Sequence, residues 1–473
     1  MRNLDSTSGA LAHQLCRKMI IFDPRMSKIQ AYRSFLNKEV SPASLGLFRI
    51  LVSLILFIQT YGFISQDFVE KHIFDSKVRF PFSSFEFLEP LSPSGMKFIM
   101  FLMLISTVFM AFGRFFKLAT GVFLLTFTYF WLLDKSYFNN HYYLISLLAV
   151  LLLFTRADAW GSFRGKSNKR AIPNWQIVVL QAQLVLVFFI AGINKISSDW
   201  LFAFQPMKHI LQTKAEVSGT TWLASNFWYA FFTWSGLIFD LSIGFLLLIK
   251  RTRKLAIIAF VLFNLMNYWI FHDIGEIGIF PFLLLACLVI FLDPSTIQNR
   301  LSWISKAPPP TKDEKEKKAV LSNAAFWLLN TYIVLQFLLP FRHYLYPDHV
   351  DWSGYGQRFS WRMKIMYKDV DMHFYLVDEG SDKKLEVNVG FFLNDKQYTN
   401  LQYYPDFIPP VARYIREEGM RTGLKNPKVV ADFLVGLNGR KKQHLVDPEL
   451  DLTTIEFHSG KYPDWILPLS NSK

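Results

Sequence analysis

Cysteine is nearly absent from this chain. Cys16 and Cys287 stand far apart, the second inside an apolar run, which speaks against a disulfide framework or a thiolate metal centre. Charge is scarce too: 19% of the 473 residues are charged and 52% are hydrophobic, a poor balance for a water-exposed surface. No HExxH, paired CxxC or EF-hand spacing occurs, so no protein-bound metal is expected. The C-terminal part has no Gly-rich phosphate loop, and the chain has no internal repeat. Residues 1–40 are polar and mixed, so no cleavable signal peptide is expected.

Apolar runs and phenylalanine are plentiful; Phe alone numbers 48. The runs recur from about residue 43 to residue 345, each long enough to approach the ~20 residues that cross a bilayer. They predict an all-α polytopic membrane bundle of about nine transmembrane helices with a small C-terminal α+β extramembrane domain. Three parts follow: a basic amphipathic N-terminal segment (1–42), a transmembrane core (43–345) and an extracytoplasmic domain (346–473).

The formal charge of +14 suggests nucleic acid, but its placement does not. Basic residues cluster in short loops between apolar runs. The N-terminal segment and the loops on its side hold 24 Lys and Arg, against 7 on the other side. By the positive-inside rule the N-terminus is cytoplasmic, and nine crossings put the C-terminal domain outside. No nucleic-acid partner is expected; membrane lipids are.

Along the chain, 19–36 reads as a surface-lying amphipathic stretch. Spans are expected near 43–64, 96–115, 118–133, up to 154, 175–193, 225–249, up to 272, 274–292 and 323–344. A half-helix is expected over 200–212. A basic loop (Arg156, Arg164, Lys166, Lys169, Arg170) precedes the fifth span. Gln176, Gln181 and Gln183 within that span should face other helices. Gly275 and Gly278 open the eighth, and a linker with Pro308, Pro309 and Pro310 precedes the ninth. In the C-terminal domain, 372–377 and 385–393 read as a hairpin around Gly380. A helix is expected over 407–418 and a strand over 429–437, with Asp447-Pro448 closing the regular part.

The chemical centre falls in VFFIAGINKISSDW (187–200), where an apolar helix loosened by Gly192 runs into Lys195. Lysines at helix ends commonly snorkel to headgroups. Topology adds weight here: Asp134, Asn139, Asn140, His141, Lys195, Asp199 and His272 all fall at outward helix ends. A pocket there would be apolar below and wet above, suiting an amphiphile with a polar ring and a lipid tail. His141 also reads as a helix cap and His272 as an interfacial residue. Asp240, inside the sixth span, is either functional or hydrogen-bonded to a neighbouring helix.

Several segments together resemble the vitamin K-dependent gamma-carboxylases. FFIAGINKISSDW (188–200) is similar to the segment bearing that family's catalytic lysine, and WLLD with NNHYYL (131–144) to its histidine segment. FDLSIGFLL (239–247), IGIFPF (277–282), FLLPFRHYL (337–345), FSWRM (359–363) and DFLVGLNGR with VDP (432–448) follow in the family's order. The helical core also resembles the horizontally transferred transmembrane (HTTM) domain proteins. The animal enzymes continue into a further β-rich lumenal domain and carry a disulfide that this chain lacks. Asn264 stands where they have histidine, and Arg362 where they have an acid. The expectation is a compact bacterial relative.

The resemblance implies an enzyme that oxidises vitamin K hydroquinone to its epoxide with O2 and carboxylates protein glutamate with CO2. Lys195 would be the base for the hydroquinone. His141 with Asn140 would orient or hydrogen-bond the oxygenated intermediate. Trp200, Asp199, His272, Trp361 and Arg362 would form the wider substrate- and quinone-binding surface, with FSWRM lining the approach of a glutamate-containing peptide. A lysine in water titrates near ~10.4, and desolvation against Phe188, Phe189, Ile193 and Trp200 would lower that value. Asp199, four residues on, would oppose the shift if it faced Lys195, unless Ser197-Ser198 breaks the helix. The alternatives are a quinone epoxidase without carboxylation, or a non-enzymatic lipid- or quinone-binding or transport protein.

Overall fold

The computed structural model describes residues 27–163, 171–274, 277–304, 320–378, 383–458 and 461–470. Cys16, most of the N-terminal segment, the basic loop 164–170, Gly275, Pro308–Pro310 and Gly380 lie outside them. The chain is mostly helical, with one small sheet near its C-terminal end.

Among the described residues six helices are long and apolar enough to cross a membrane: Ala43–Ser65, Pro93–Phe112, Trp175–Asn194, Asn226–Leu248, Arg253–His272 and Asn323–Leu345. That is fewer than the nine expected, and the reason is length. Two further apolar helices, Phe116–Leu132 and Asn140–Phe154, have 17 and 15 residues, so they rise roughly 22–26 Å against ~30 Å of hydrocarbon. The expected eighth span starts only at Phe280 and stops at its expected limit. Its helix, Phe280–Cys287, tightens into a 3-10 turn ending at Phe291, and Pro294–Arg300 departs at 99°. Asp293 accepts from the backbone N–H groups of Ser295 and Thr296, and Pro294 occupies the first helical position. Together they start a new helix instead of continuing the old one.

Large apolar side chains on the outer faces of these helices, among them Leu125, Phe154, Leu262 and Trp327, are exposed, as lipid-facing residues are. Inside, close backbone approach governs one pairing. A Cβ at Gly192 would lie 2.8 Å from Leu241 Cγ and 2.9 Å from its amide nitrogen, and one at Gly244 would lie 3.0 Å from Val185 Cα. Gly192 therefore does not loosen its helix. It seats Trp175–Asn194 against Asn226–Leu248, in the manner of small-residue interfaces in membranes. The three glutamines expected to face other elements do so. Gln176 accepts from Arg156 N at 2.7 Å, Gln181 donates to Ile290 O at 2.9 Å and Gln183 accepts from Tyr332 Oη at 2.6 Å.

The C-terminal unit is a four-stranded antiparallel sheet in the order β2 (Lys384–Val387), β1 (Lys368–Val377), β3 (Lys428–Leu437), β4 (Gln443–His444). Helix Ile408–Arg421 lays Val411, Ala412 and Ile415 in one core with Phe374, Phe433 and Val435. The expected strand over 385–393 is short, giving way at Asn388 to a 3-10 turn and then to helix Asp395–Tyr403. Val78 and Phe80, from the loop between the first two long helices, complete this core. Phe80 packs on Phe407 with ring centroids 4.4 Å apart. The loop thereby belongs to the outer unit, which is seated on the end of the bundle bearing Asp134, Asn140 and Lys195.

A candidate active site at the mouth of the bundle

Helix Trp175–Asn194 ends one residue before Lys195, which is its C-cap. Ser197 then accepts from Trp200 N and caps a separate short helix, Ser198–Leu201. The break turns Asp199 away from the axis on which Lys195 lies, and the expected half-helix over 200–212 becomes two pieces, Ser198–Leu201 and Met207–Ser218. Lys195 is 8% exposed and its Nζ donates to Asp240 Oδ2, itself on a residue 4% exposed. Trp200 closes the other side, its ring centroid 5.2 Å from Nζ and its indole N–H held by Thr233 O at 3.0 Å. A lysine at a helix end that snorkels would point to water; this one is buried against a carboxylate.

Asp199 has different partners. Both its oxygens accept from Arg440, each at 2.7 Å, and Oδ2 also accepts from Asn438 at 2.9 Å. Burial alone would raise the Asp199 carboxyl, but the hydrogen bonds and charge of Arg440 hold it below the usual carboxylate range.

The segment Phe359–Met363 ties Lys195 to the histidine helix. Asn194 Nδ2 donates to Ser360 O at 2.7 Å, and Arg362 donates to Asn194 Oδ1 at 3.2 Å. Asn140 donates to Arg362 O at 3.5 Å, a long contact. Trp361 stacks on Tyr143 with centroids 5.0 Å apart. Phe359, Trp361 and Lys364 have φ of 65°, 54° and 51°. Left-handed backbone at three non-glycine residues persists only where surroundings over-determine it, a pattern typical of functional sites. Arg362 is charge-matched by Asp351, at 3.0 Å and 2.6 Å, so an acid stands beside this position although the position itself carries arginine.

His141 is not the helix cap; Asn139 is, accepting from Tyr142 N at 2.8 Å. The imidazole stacks on Phe280, centroids 5.4 Å apart, which brings IGIFPF to the site. Two buried polar atoms nearby lack partners among the described residues: Asn140 Oδ1 and Trp361 Nε1. Buried polar groups are normally satisfied, so one acceptor and one donor are set for a ligand carrying both kinds of group. His272 lies apart, exposed, with Nδ1 3.0 Å from Asp273 Oδ1. Asp273 in turn pairs with the buried Lys214. Asn264 is buried and donates to Phe260 O of its own helix at 2.9 Å.

A cleft of about 550 Å3 lies elsewhere, in the outer unit among Asp447, Glu456, His458, Lys461, Tyr462 and Trp465. The buried charge pair and the strained segment mark the mouth of the bundle as the chemical site in preference to it. Among the described residues no three His, Cys, Asp or Glu side chains converge as metal ligands would.

Sequence reading missed the ion-pair cluster that seats the outer unit. Lys135 Nζ lies 2.7 Å from Asp406 Oδ2, and Arg358 reaches the same carboxylate at 2.9 Å and 3.3 Å. The available signal was a lysine inside DKSYFNNH, among residues otherwise aromatic or cap-forming.

An apolar helical bundle with a buried lysine at its mouth and a small α+β unit seated over it defines a class of two-part membrane protein, and known families match each part. Residues 37–295 match the HTTM domain, and residues 321–472 match the vitamin K-dependent gamma-carboxylase, lumenal domain. The chain belongs to the vitamin K-dependent gamma-carboxylase family. No solved structure matches it.

Proposed function

We propose that this chain is an integral-membrane vitamin K-dependent carboxylase, which oxidises vitamin K hydroquinone to the epoxide with O2 and carboxylates protein glutamate with CO2. The observation that carries the reading is the buried Lys195–Asp240 pair, tied through Asn194 and Arg362 to Asn140 and His141.

The γ-carbon proton of glutamate is too weakly acidic for a side chain to remove, and oxygenation of the quinol supplies the stronger base. The protein's share is smaller and definite. Lys195 and Asp240 are in direct contact and act as one unit. Wherever their shared proton sits, the unit takes one more, from a hydroxyl presented to Lys195. Asn140 Oδ1 accepts from a ring hydroxyl and His141 orients the ring. Trp361 Nε1 donates to a ring oxygen, while Trp200 and Phe280 exclude water that would quench the chemistry. Phe359–Met363 and the outer unit line the approach of the glutamate peptide. Asp199 serves the wider site by fixing the turn beside Lys195.

Counting the two shorter helices and the bent pair as crossings restores the nine-span path, with 1–42 cytoplasmic, 43–345 in the membrane and 346–473 outside. The positive-inside asymmetry and the common end shared by the outer unit and Lys195 support that orientation.

The test is incubation of purified protein with vitamin K hydroquinone, labelled bicarbonate and a Glu-containing peptide under air. Label in the peptide is expected. Epoxide without label would replace the reading by quinone epoxidation alone, and neither product would contradict both.

A further inference from the structure

Two carboxylates lie close to the Lys195 turn in sequence or in space, and the fold gives them to different cations. Asp240 faces Lys195 from helix Asn226–Leu248. Asp199 is taken by a turn of the outer unit. That turn is Asn438-Gly439, between β3 and β4, with φ of 51° and 79°. Both residues are left-handed, the geometry Asn-Gly favours in tight hairpins.

Each residue of the turn has a contact to make. Asn438 Oδ1 accepts from Tyr367 N at 2.8 Å while its Nδ2 donates to Asp199 at 2.9 Å. Gly439 lies against Gln205, where a Cβ would come within 3.3 Å of Nε2, and Gln205 N donates to Asp199 O at 2.8 Å. Arg440 grips the carboxylate with two nitrogens, each at 2.7 Å, the planar fork that arginine matches to carboxylate. The outer unit therefore reaches the segment bearing Lys195 through a part-buried, bidentate, charge-matched contact.

We propose that the Asn438-Gly439-Arg440 turn is a positioning device for the proposed base: by holding the carboxylate of Asp199 it leaves Lys195 to Asp240, and so couples seating of the outer unit to proton transfer at the membrane mouth. The inference rests on the reading of Lys195 as that base. The charged groups around the two residues are accounted for. Asp240 faces Lys195, and Arg362 beside Asn194 is matched by Asp351. Arg440 faces Asp199, with the charge of His349 acting on it from further away. Freed from Arg440, Asp199 would be a second carboxylate next to Trp200, whose ring lies against the Lys195 ammonium. A second negative charge favours the protonated lysine.

The test reads Lys195 directly. Full-length protein in lipid nanodiscs is acylated with acetic anhydride over a range of pH, and modification of Lys195 is followed by peptide mass spectrometry. Arg440→Gln is expected to move the half-maximal pH upward by about one unit, the lower end of the effect of a nearby opposite charge. Arg440→Gln/Asp199→Asn is expected to return it to the wild-type value. Asp199→Asn alone, which leaves Arg440 uncompensated, is expected to move it downward and serves if the arginine variant does not fold. An unchanged midpoint in Arg440→Gln or in Asp199→Asn, or a shift the double variant fails to reverse, would overturn the proposal. Because the readout needs no turnover, an inactive wild-type protein would count against the carboxylase reading and leave this comparison intact.

Discussion

Lys195 is paired with Asp240, 45 residues on and on another helix, and not with Asp199 four residues on. The pairing follows from packing. Leu241 occupies the space that a Cβ at Gly192 would need, and Lys195 follows Gly192 by three residues while Asp240 adjoins Leu241. A buried pair of this kind contributes little net stability as a pair, but removing one partner leaves an uncompensated charge, at a cost of about 3–5 kcal/mol.

The pair therefore predicts a particular pattern in a double-mutant cycle. Lys195→Met and Asp240→Leu should each lower the unfolding temperature in detergent. Lys195→Met/Asp240→Leu, which removes both charges and keeps apolar volume, should recover most of the loss while vitamin K-dependent turnover stays absent. A double variant less stable than either single one would mean that the two side chains do not compensate each other.

Gly192→Ala tests the approach that creates the pair. Its Cβ would meet Leu241 backbone as well as side chain, so the helices must separate, at about 1–3 kcal/mol for overpacking. Turnover should fall with the unfolding temperature. Gly62→Ala, in a helix where a Cβ meets nothing within 4 Å, is the control and should match or exceed wild-type stability. Equal behaviour of the two variants would remove the argument that close approach sets the site.

Asp406 predicts an acid limb in the seating of the outer unit. Burial alone would raise this carboxyl, but Arg358 and Lys135 hold it below the usual carboxylate range. The unfolded or undocked chain then binds the proton more readily. The stabilisation is complete above the unfolded value, near ~3.9, and is lost as pH falls through the lower folded value. Limited proteolysis should show the outer unit released below about pH 4. Asp406→Asn, which leaves Lys135 and Arg358 buried without their counter-charge, should release it at neutral pH by about 3–5 kcal/mol. Protection in Asp406→Asn equal to wild type would contradict the latch.

Much of this was legible from residue order. Apolar runs marked the helices, and a lysine after a long apolar stretch marked Lys195. Strand Lys428–Leu437 and helix Ile408–Arg421 came close to their expected limits. What stayed hidden depends on tertiary choice. Asp240 was visible as an unusual intramembrane acid, but only helix pairing selects its partner. Gly192 looked like a flexible point, and its close-packing role needs the neighbour to be known. The Lys135–Asp406–Arg358 cluster joins Lys135 to residues more than 200 further along the chain and follows no local period. The apolar run stops at Leu292 as the helix does, but the 99° direction of Pro294–Arg300 beyond it leaves no mark on hydropathy.

The central claim is that Lys195, held against Asp240, takes a proton from a quinol. Purified protein given vitamin K hydroquinone under air should form the epoxide, and Lys195→Ala, shown to be folded by protease protection of its outer unit, should form none. Epoxide formation undiminished in Lys195→Ala, or none from the wild-type protein, would contradict it.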